Sequence, residues 1–307
     1  MELAAKIERR FGSPVVDSTP GPAPGGSKNR TSIIELQSGR RLVVQQYTNA
    51  RTAAVRLRAV EQLATPLNQH GIPVPRLLVN GLSDEPPWAA FEELPGEPGY
   101  VAAGWDLEGA AFPVIASDMG TLLRRMAELD ASEYDLPSLW TEPVDLMAAA
   151  HAWLAALEPY LSSSDVTIAQ RLLATTPALL GNRPMAVCHG DFGPQNVLVL
   201  DGRVSGLLDF EDVRIADPLL DVAWWAWFIR AHTPAAFSRT WELFLDAAGV
   251  DRSEAQFDDR VMLLIVLRLL ETADGFREAW PEKHPSWGKR LSTTLEWRGA
   301  PLSQHRF

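Results

Sequence analysis

The chain has 307 residues, 46% hydrophobic and 22% charged, a balance that supports a packed core and excludes global disorder. Its formal net charge of −11 argues against a polynucleotide partner and suits a cationic small molecule, although acidity also serves solubility alone. The single cysteine, Cys188, excludes an internal disulfide and a thiolate metal cluster, and no bilayer-long apolar run or secretion signal is legible, so a cytoplasmic protein without membrane contact is expected.

In chain order, residues 31–36 and 41–47 are short apolar, partly β-branched runs joined by Gln37-Ser38-Gly39-Arg40, which predicts a hairpin. A helix follows from Thr48 or Asn49, with Val55, Leu57, Val60, Leu63 and Leu67 on its apolar face and Gly71, Pro73 and Pro75 ending it. Strands are expected over 76–80 and 88–92, after which Leu94-Pro95-Gly96-Glu97-Pro98 breaks the pattern. Beyond residue 110 helical periodicity predominates, near 113–129, 144–160, 165–180, 218–232, 235–248, 256–276 and 285–297. Trp224, Trp225 and Trp227 fall on an almost wholly apolar helix and are expected in the core. A short β-rich insert interrupts these helices, with 186–188, 197–200 and 204–208 able to pair across a tight Asp201-Gly202 turn. The pattern divides the chain into an N-terminal lobe, 1–95, and a C-terminal lobe, 96–307.

That insert carries the chemistry. Cys188-His189-Gly190-Asp191-Phe192-Gly193-Pro194-Gln195-Asn196 is followed by Leu207-Leu208-Asp209-Phe210-Glu211. Asp191, Asn196 and Asp209 stand at the spacing a phosphoryl-transfer site needs: one carboxylate to orient a hydroxyl proton, an amide and a second carboxylate to hold magnesium. The bland alternative is a turn-rich hairpin whose Asp and Asn side chains bond only their own backbone.

The run HGDFGPQNVLV, followed by GLLDFED and ADPLLDVAW, resembles the aminoglycoside phosphotransferase family, and the resemblance extends over residues 20–230. It implies an α+β, bilobal, protein-kinase-like fold with a small antiparallel-sheet N-terminal lobe, one long helix in that lobe, and a larger mainly helical C-terminal lobe. It also implies an enzyme that uses ATP (or GTP) and Mg2+ to phosphorylate a hydroxyl of a small molecule. In that light Asp191 is the catalytic carboxylate, Asn196 and Asp209 are the metal ligands, and His189 and Asp221 brace the loop. Gly25, Gly26 and Ser27 would cover the phosphates, although taken alone they could belong to any hairpin. The backbone of Glu92 and Leu94 would meet adenine. Glu61 would face the cleft from the helix, with an ordinary surface pair to Arg58 as the competing account. The acceptor would sit near Glu211, Asp212, Glu271, Asp274 and Glu278, a set that could equally be a solvated face.

The chain departs from the family pattern at Gln45, where a strand lysine or arginine grips the nucleotide phosphates. Lys28, Arg30 and Arg41 are candidate substitutes. The reading reached is an O-phosphotransferase acting on a cationic antibiotic, of aminoglycoside or basic peptide type, and conferring resistance. A metabolic kinase for a sugar, choline-like amine or amino alcohol, and a nucleotide-binding pseudokinase, are the alternatives.

Overall fold

The computed structural model describes residues 2–21, 29–48, 50–277 and 280–298. The chain separates into two compact units, one formed by Met1–Ala102 and Pro194–Asp212, the other by Ala103–Gly193 and Val213–Phe307. This differs from a single cut after residue 95: the N-terminal unit runs on to Ala102, and it takes in the hairpin that follows the catalytic loop. The reason is pairing, since Glu97 and Pro98 add to that hairpin as an edge strand.

In the N-terminal unit, helix α1 (Glu2–Phe11) and strand β1 (Val15–Pro20) precede the hairpin of β2 (Arg30–Leu36) and β3 (Arg41–Gln46). Then come helix α2 (Ala50–Gln69), strands β4 (Leu77–Gly81), β5 (Trp88–Glu92) and β6 (Glu97–Pro98), and the short helix α3 (Gly99–Ala102). After the chain has passed through β7 (Ala186–Cys188) of the other unit, it returns as the hairpin β8 (Val197–Leu200) and β9 (Arg203–Leu207). The main sheet has the order β1-β2-β3-β5-β4, antiparallel throughout.

The period of two along a strand sorts its side chains between two cores. Ile34, Leu36, Leu42, Val44, Trp88 and Ala90 bury against Ile7 of α1. Ala89 and Phe91 point to the opposite face and pack with Tyr47 and with Ala53 and Leu57 of α2. Leu3, Ile7 and Phe11 recur every fourth residue and pack into the first core, so the pattern that makes α1 was present in the sequence although only one helix was expected in this lobe. Val55 is 56% exposed and does not belong to the apolar face of α2.

The C-terminal unit is mainly helical: α4 (Phe112–Met126), α5 (Pro143–Leu157), α6 (Ser163–Leu173), α7 (Thr176–Leu180), α8 (Leu219–His232), α9 (Pro234–Ala248), α10 (Phe257–Phe276) and α11 (His284–Leu295). Its two short strands, β7 and β10 (Arg214–Ala216), pair antiparallel with Cys188 opposite Arg214. The helix expected over 165–180 is broken into α6 and α7. Pro177 has no N–H to continue the ladder, and the Thr176 hydroxyl donates to the Leu173 carbonyl instead, at 2.7 Å. Gly120 lets α4 approach α9, because a Cβ there would lie 2.3 Å from the Phe244 carbonyl oxygen. Trp225 is fully buried and stacks on Phe244 at 4.0 Å between ring centroids. Just before α8, Asp217 accepts from the Leu219 N–H at 2.9 Å and binds Arg260 at 2.8 Å in a pair whose side chains are each 2% exposed. Among the described residues, no helix is long and apolar enough to cross a membrane.

Candidate active site

The β8–β9 hairpin sets two of the expected site residues. Its turn, Asp201-Gly202, has positive φ at both positions (52° and 75°), the conformation that a two-residue hairpin requires. Val197 pairs with Leu207, and one step beyond, the Leu208 N–H donates to the Asn196 carbonyl at 2.8 Å. Asn196 and Asp209 therefore sit at adjoining ends of the same ladder. Asp209 takes a left-handed φ of 63°, and its Oδ1 accepts from the Glu211 N–H at 3.4 Å, a local turn that aims the carboxylate.

Both residues line a cavity of about 280 Å³ built wholly from the N-terminal unit. Ile33, Val43, Phe91, Leu198 and Leu208 give it apolar walls, and Gln45, Glu92, Leu94 and Glu211 also reach it. Gln45 accepts from the Tyr47 hydroxyl at 3.0 Å. Burial, then the negative charge of Glu211, pushes the Tyr47 phenol well above its ordinary range. The Glu92 carboxylate bonds Arg76 at 2.8 Å, which holds its pKa below the ordinary value.

Glu61 does not reach this cavity. The helix turns its Leu57, Val60, Ala64 and Leu67 inward, whereas Glu61 is one residue, about 100°, past Val60 and is exposed. Among the carboxylates that do line the cavity, Glu211 is the one paired with α2, through Arg56 at 2.6 Å, and it is also contacted by Asn29. Glu211 is thus a cavity residue paired with a cation of α2. Of the proposed substitutes for the strand cation, Arg30 is exposed and Arg41 pairs with Glu93 at 2.7 Å with half its side chain in solvent. Lys28, together with Gly25, Gly26 and Ser27, lies outside the described residues.

Asp191 belongs to the C-terminal unit, where its loop is pinned from several sides. The Asp221 carboxylate accepts from the His189 N–H at 2.7 Å and the Gly190 N–H at 2.8 Å. Burial pushes the Asp221 carboxyl up, against the pull of His189 and these two bonds. His189 is fully buried, packs edge-on against Phe192, and accepts at Nδ1 from the Asp191 N–H at 3.3 Å. Arg268 Nε donates to the Gly190 carbonyl at 2.8 Å. The residue missed by sequence reasoning is Trp224, whose indole N–H donates to Asp191 Oδ1 at 2.7 Å. Its signal was an offset: Trp224 follows Asp221 by three on α8, so both face the same loop.

The carboxylates expected near an acceptor are mostly committed elsewhere. Glu271 is 22% exposed and takes Arg214 at 2.5 Å, Arg268 at 2.8 Å and the Trp140 indole at 3.2 Å. Burial pushes its pKa up, but Arg214 and Arg268 outweigh that and hold it below the ordinary value. Asp274 does lie three residues on along α10, and it pairs with Arg277 at 3.4 Å. Asp212 is half-buried in the N-terminal unit, and Glu278 lies outside the described residues.

The sequence profile of the phosphotransferase enzyme family matches residues 21–257. An aminoglycoside 3'-phosphotransferase of Streptomyces fradiae is 32% identical over 201 residues, spanning 62% of this chain and 71% of that protein. A viomycin phosphotransferase of Streptomyces vinaceus is 33% identical over 146 residues, 46% of this chain and 50% of its own length. Among solved structures, an aminoglycoside phosphotransferase APH(4)-Ia in ternary complex with ADP and hygromycin B superposes with a TM-score of 0.72 at 17% identity, covering 98% of this chain and all of that one. The GDP complex of an aminoglycoside 2'-phosphotransferase-IIIa superposes at 0.76 with 16% identity, covering 97% and 98%. The chain belongs to the phosphotransferase enzyme family, as its motifs implied, and has that family's kinase-like α+β fold. It is a phosphotransferase.

Proposed function

We propose that this protein transfers the terminal phosphoryl group of a nucleoside triphosphate, ATP or GTP, to a hydroxyl of a small antibiotic, with Mg2+ as the metal. The observation that carries the reading is the hairpin register that brings Asn196 and Asp209 to the wall of one apolar-sided cavity. The donor set fits magnesium. An amide and a carboxylate are hard oxygen ligands, and among the described residues no group of three His, Cys, Asp or Glu side chains could cage a metal. Mg2+ favours such a sparse protein set because it keeps waters and substrate phosphate oxygens as its remaining ligands. Once bound it would neutralise charge on the phosphates.

The apolar walls would take the base, with the backbone of Glu92 and Leu94 at its polar edge. Asp191, five residues before Asn196 in the chain, would orient the acceptor hydroxyl and take its proton. Its loop, held by Asp221, Arg268 and Trp224, supplies the rigidity that catalysis by positioning needs. For the acceptor, the relatives named for aminoglycosides and viomycin support a cationic, hydroxyl-bearing antibiotic, and the net charge of −11 agrees. Such an activity would confer resistance and would operate in the cytoplasm, where nucleotide is available.

The test is a phosphorylation screen of aminoglycosides, viomycin-type peptides, macrolides and simple metabolic alcohols with Mg·ATP and Mg·GTP, reading products by mass. We expect one class to gain a phosphate and Asp191→Asn to abolish the gain. Transfer that persists in that variant would remove Asp191 from its role, and transfer only to simple metabolic alcohols would overturn the antibiotic reading.

A further inference from the structure

The cavity presents an electrostatic problem. A bound nucleoside triphosphate brings several negative charges into a space already lined by Asp209 and Glu211, and the strand position that usually answers them holds the neutral Gln45. Among the described residues that line the cavity, Arg56 is the one lysine or arginine. It comes from the first turns of α2, is 14% exposed, and is held through Nη1 by Glu211 Oε1 at 2.6 Å. Glu211 is itself tied to the metal-binding turn, since its N–H meets Asp209 Oδ1.

We infer that Arg56 is the phosphate-gripping cation of this protein and that Glu211 is the anion that positions it. In kinases a strand lysine is paired with a helix carboxylate. Here the polarity is exchanged: the helix supplies the cation, and the carboxylate follows the metal ligand by two residues. This makes sense of two observations at once, the neutral Gln45 and the outward-facing Glu61, because a cation placed on the helix needs no helix carboxylate as its partner. A guanidinium has five N–H donors in a planar fork, so one nitrogen can stay on Glu211 while others meet phosphate oxygens. The inference rests on the nucleotide reading of the cavity given above.

The experiment uses the full chain and titrates Mg·AMP-PNP and adenosine by calorimetry into the wild type, Arg56→Gln, and Arg56→Gln combined with Gln45→Lys. Adenosine carries the base without phosphates, so it reports whether the cavity is intact. We expect Arg56→Gln to weaken AMP-PNP by about ten- to one-hundred-fold, the range for a lost charge-assisted contact, with adenosine affinity within about twofold. The double variant should recover most of the loss, because it returns a cation to the strand. Unchanged AMP-PNP affinity in Arg56→Gln overturns the inference, as does an equal loss for both ligands, which would mark Arg56 as a purely structural brace. A wild type that binds neither of these ligands, nor Mg·GMP-PNP and guanosine titrated in the same way, would bring down the nucleotide reading itself.

Discussion

Trp224→Phe tests how the proposed catalytic carboxylate is held. The indole N–H meets Asp191 Oδ1 at 2.7 Å, and Trp224 is only 4% exposed, so water has little access to replace the lost donor. Phenylalanine keeps an aromatic ring facing Trp227, now stacked at 4.7 Å, and beneath the Arg268 guanidinium, now 5.3 Å from the ring centroid. The substitution therefore removes one hydrogen bond to a charged group with little change in packing. Such bonds contribute about 1.5–3 kcal/mol, and a carboxylate released from its productive rotamer would lose about tenfold to one-hundredfold in kcat. The KM for nucleotide should be unchanged, because Trp224 lines no part of the cavity proposed to hold it. Steady-state kinetics with a thermal melt on each variant is the assay. Trp227→Phe is the control, since that indole donates to Thr294 Oγ1 at 3.1 Å and not to Asp191. A kcat for Trp224→Phe within twofold of wild type, at unchanged stability, would refute the reasoning.

Asp209→Asn should remove most metal-dependent nucleotide binding, whereas Asp191→Asn should spare binding and lose turnover; titration of Mg·AMP-PNP into both variants decides, and equal loss would contradict the division of roles. Glu271→Gln should destabilise the fold at neutral pH by about 3 kcal/mol, because Arg214 and Arg268 lose their shared counter-charge. The gap should shrink in acid. The Glu271 carboxyl is held below its ordinary range in the native state, so its contribution is present above that range and is lost as pH falls through the native value. Urea unfolding of wild type and variant from pH 7 down to about 3 would show this, and a gap independent of pH would mean that the charge of Glu271 contributes nothing.

The parts of this protein legible from sequence were those written by near neighbours. Short apolar, partly β-branched runs specify β2 and β3, Asp201-Gly202 specifies the tight turn, and His189-Gly190-Asp191 with Asn196 and Asp209 announces the family. Each of these depends on spacings of a few residues, which backbone geometry converts directly into strand, turn and loop. The pairing of charges was not legible. Arg56 and Glu211 are 155 residues apart, and Arg214 and Glu271 are 57 apart, so only the packed chain brings each pair together. The rotation of α2 left Glu61 in solvent and carried Arg56 inward, and the seating of α8 turned an apparently core tryptophan toward Asp191. Sequence by itself determined the fold class and the residues that announce the chemistry. Tertiary structure decided which charges are neutralised and which side chain orients the carboxylate, because electrostatic contact depends on distance in space and not along the chain.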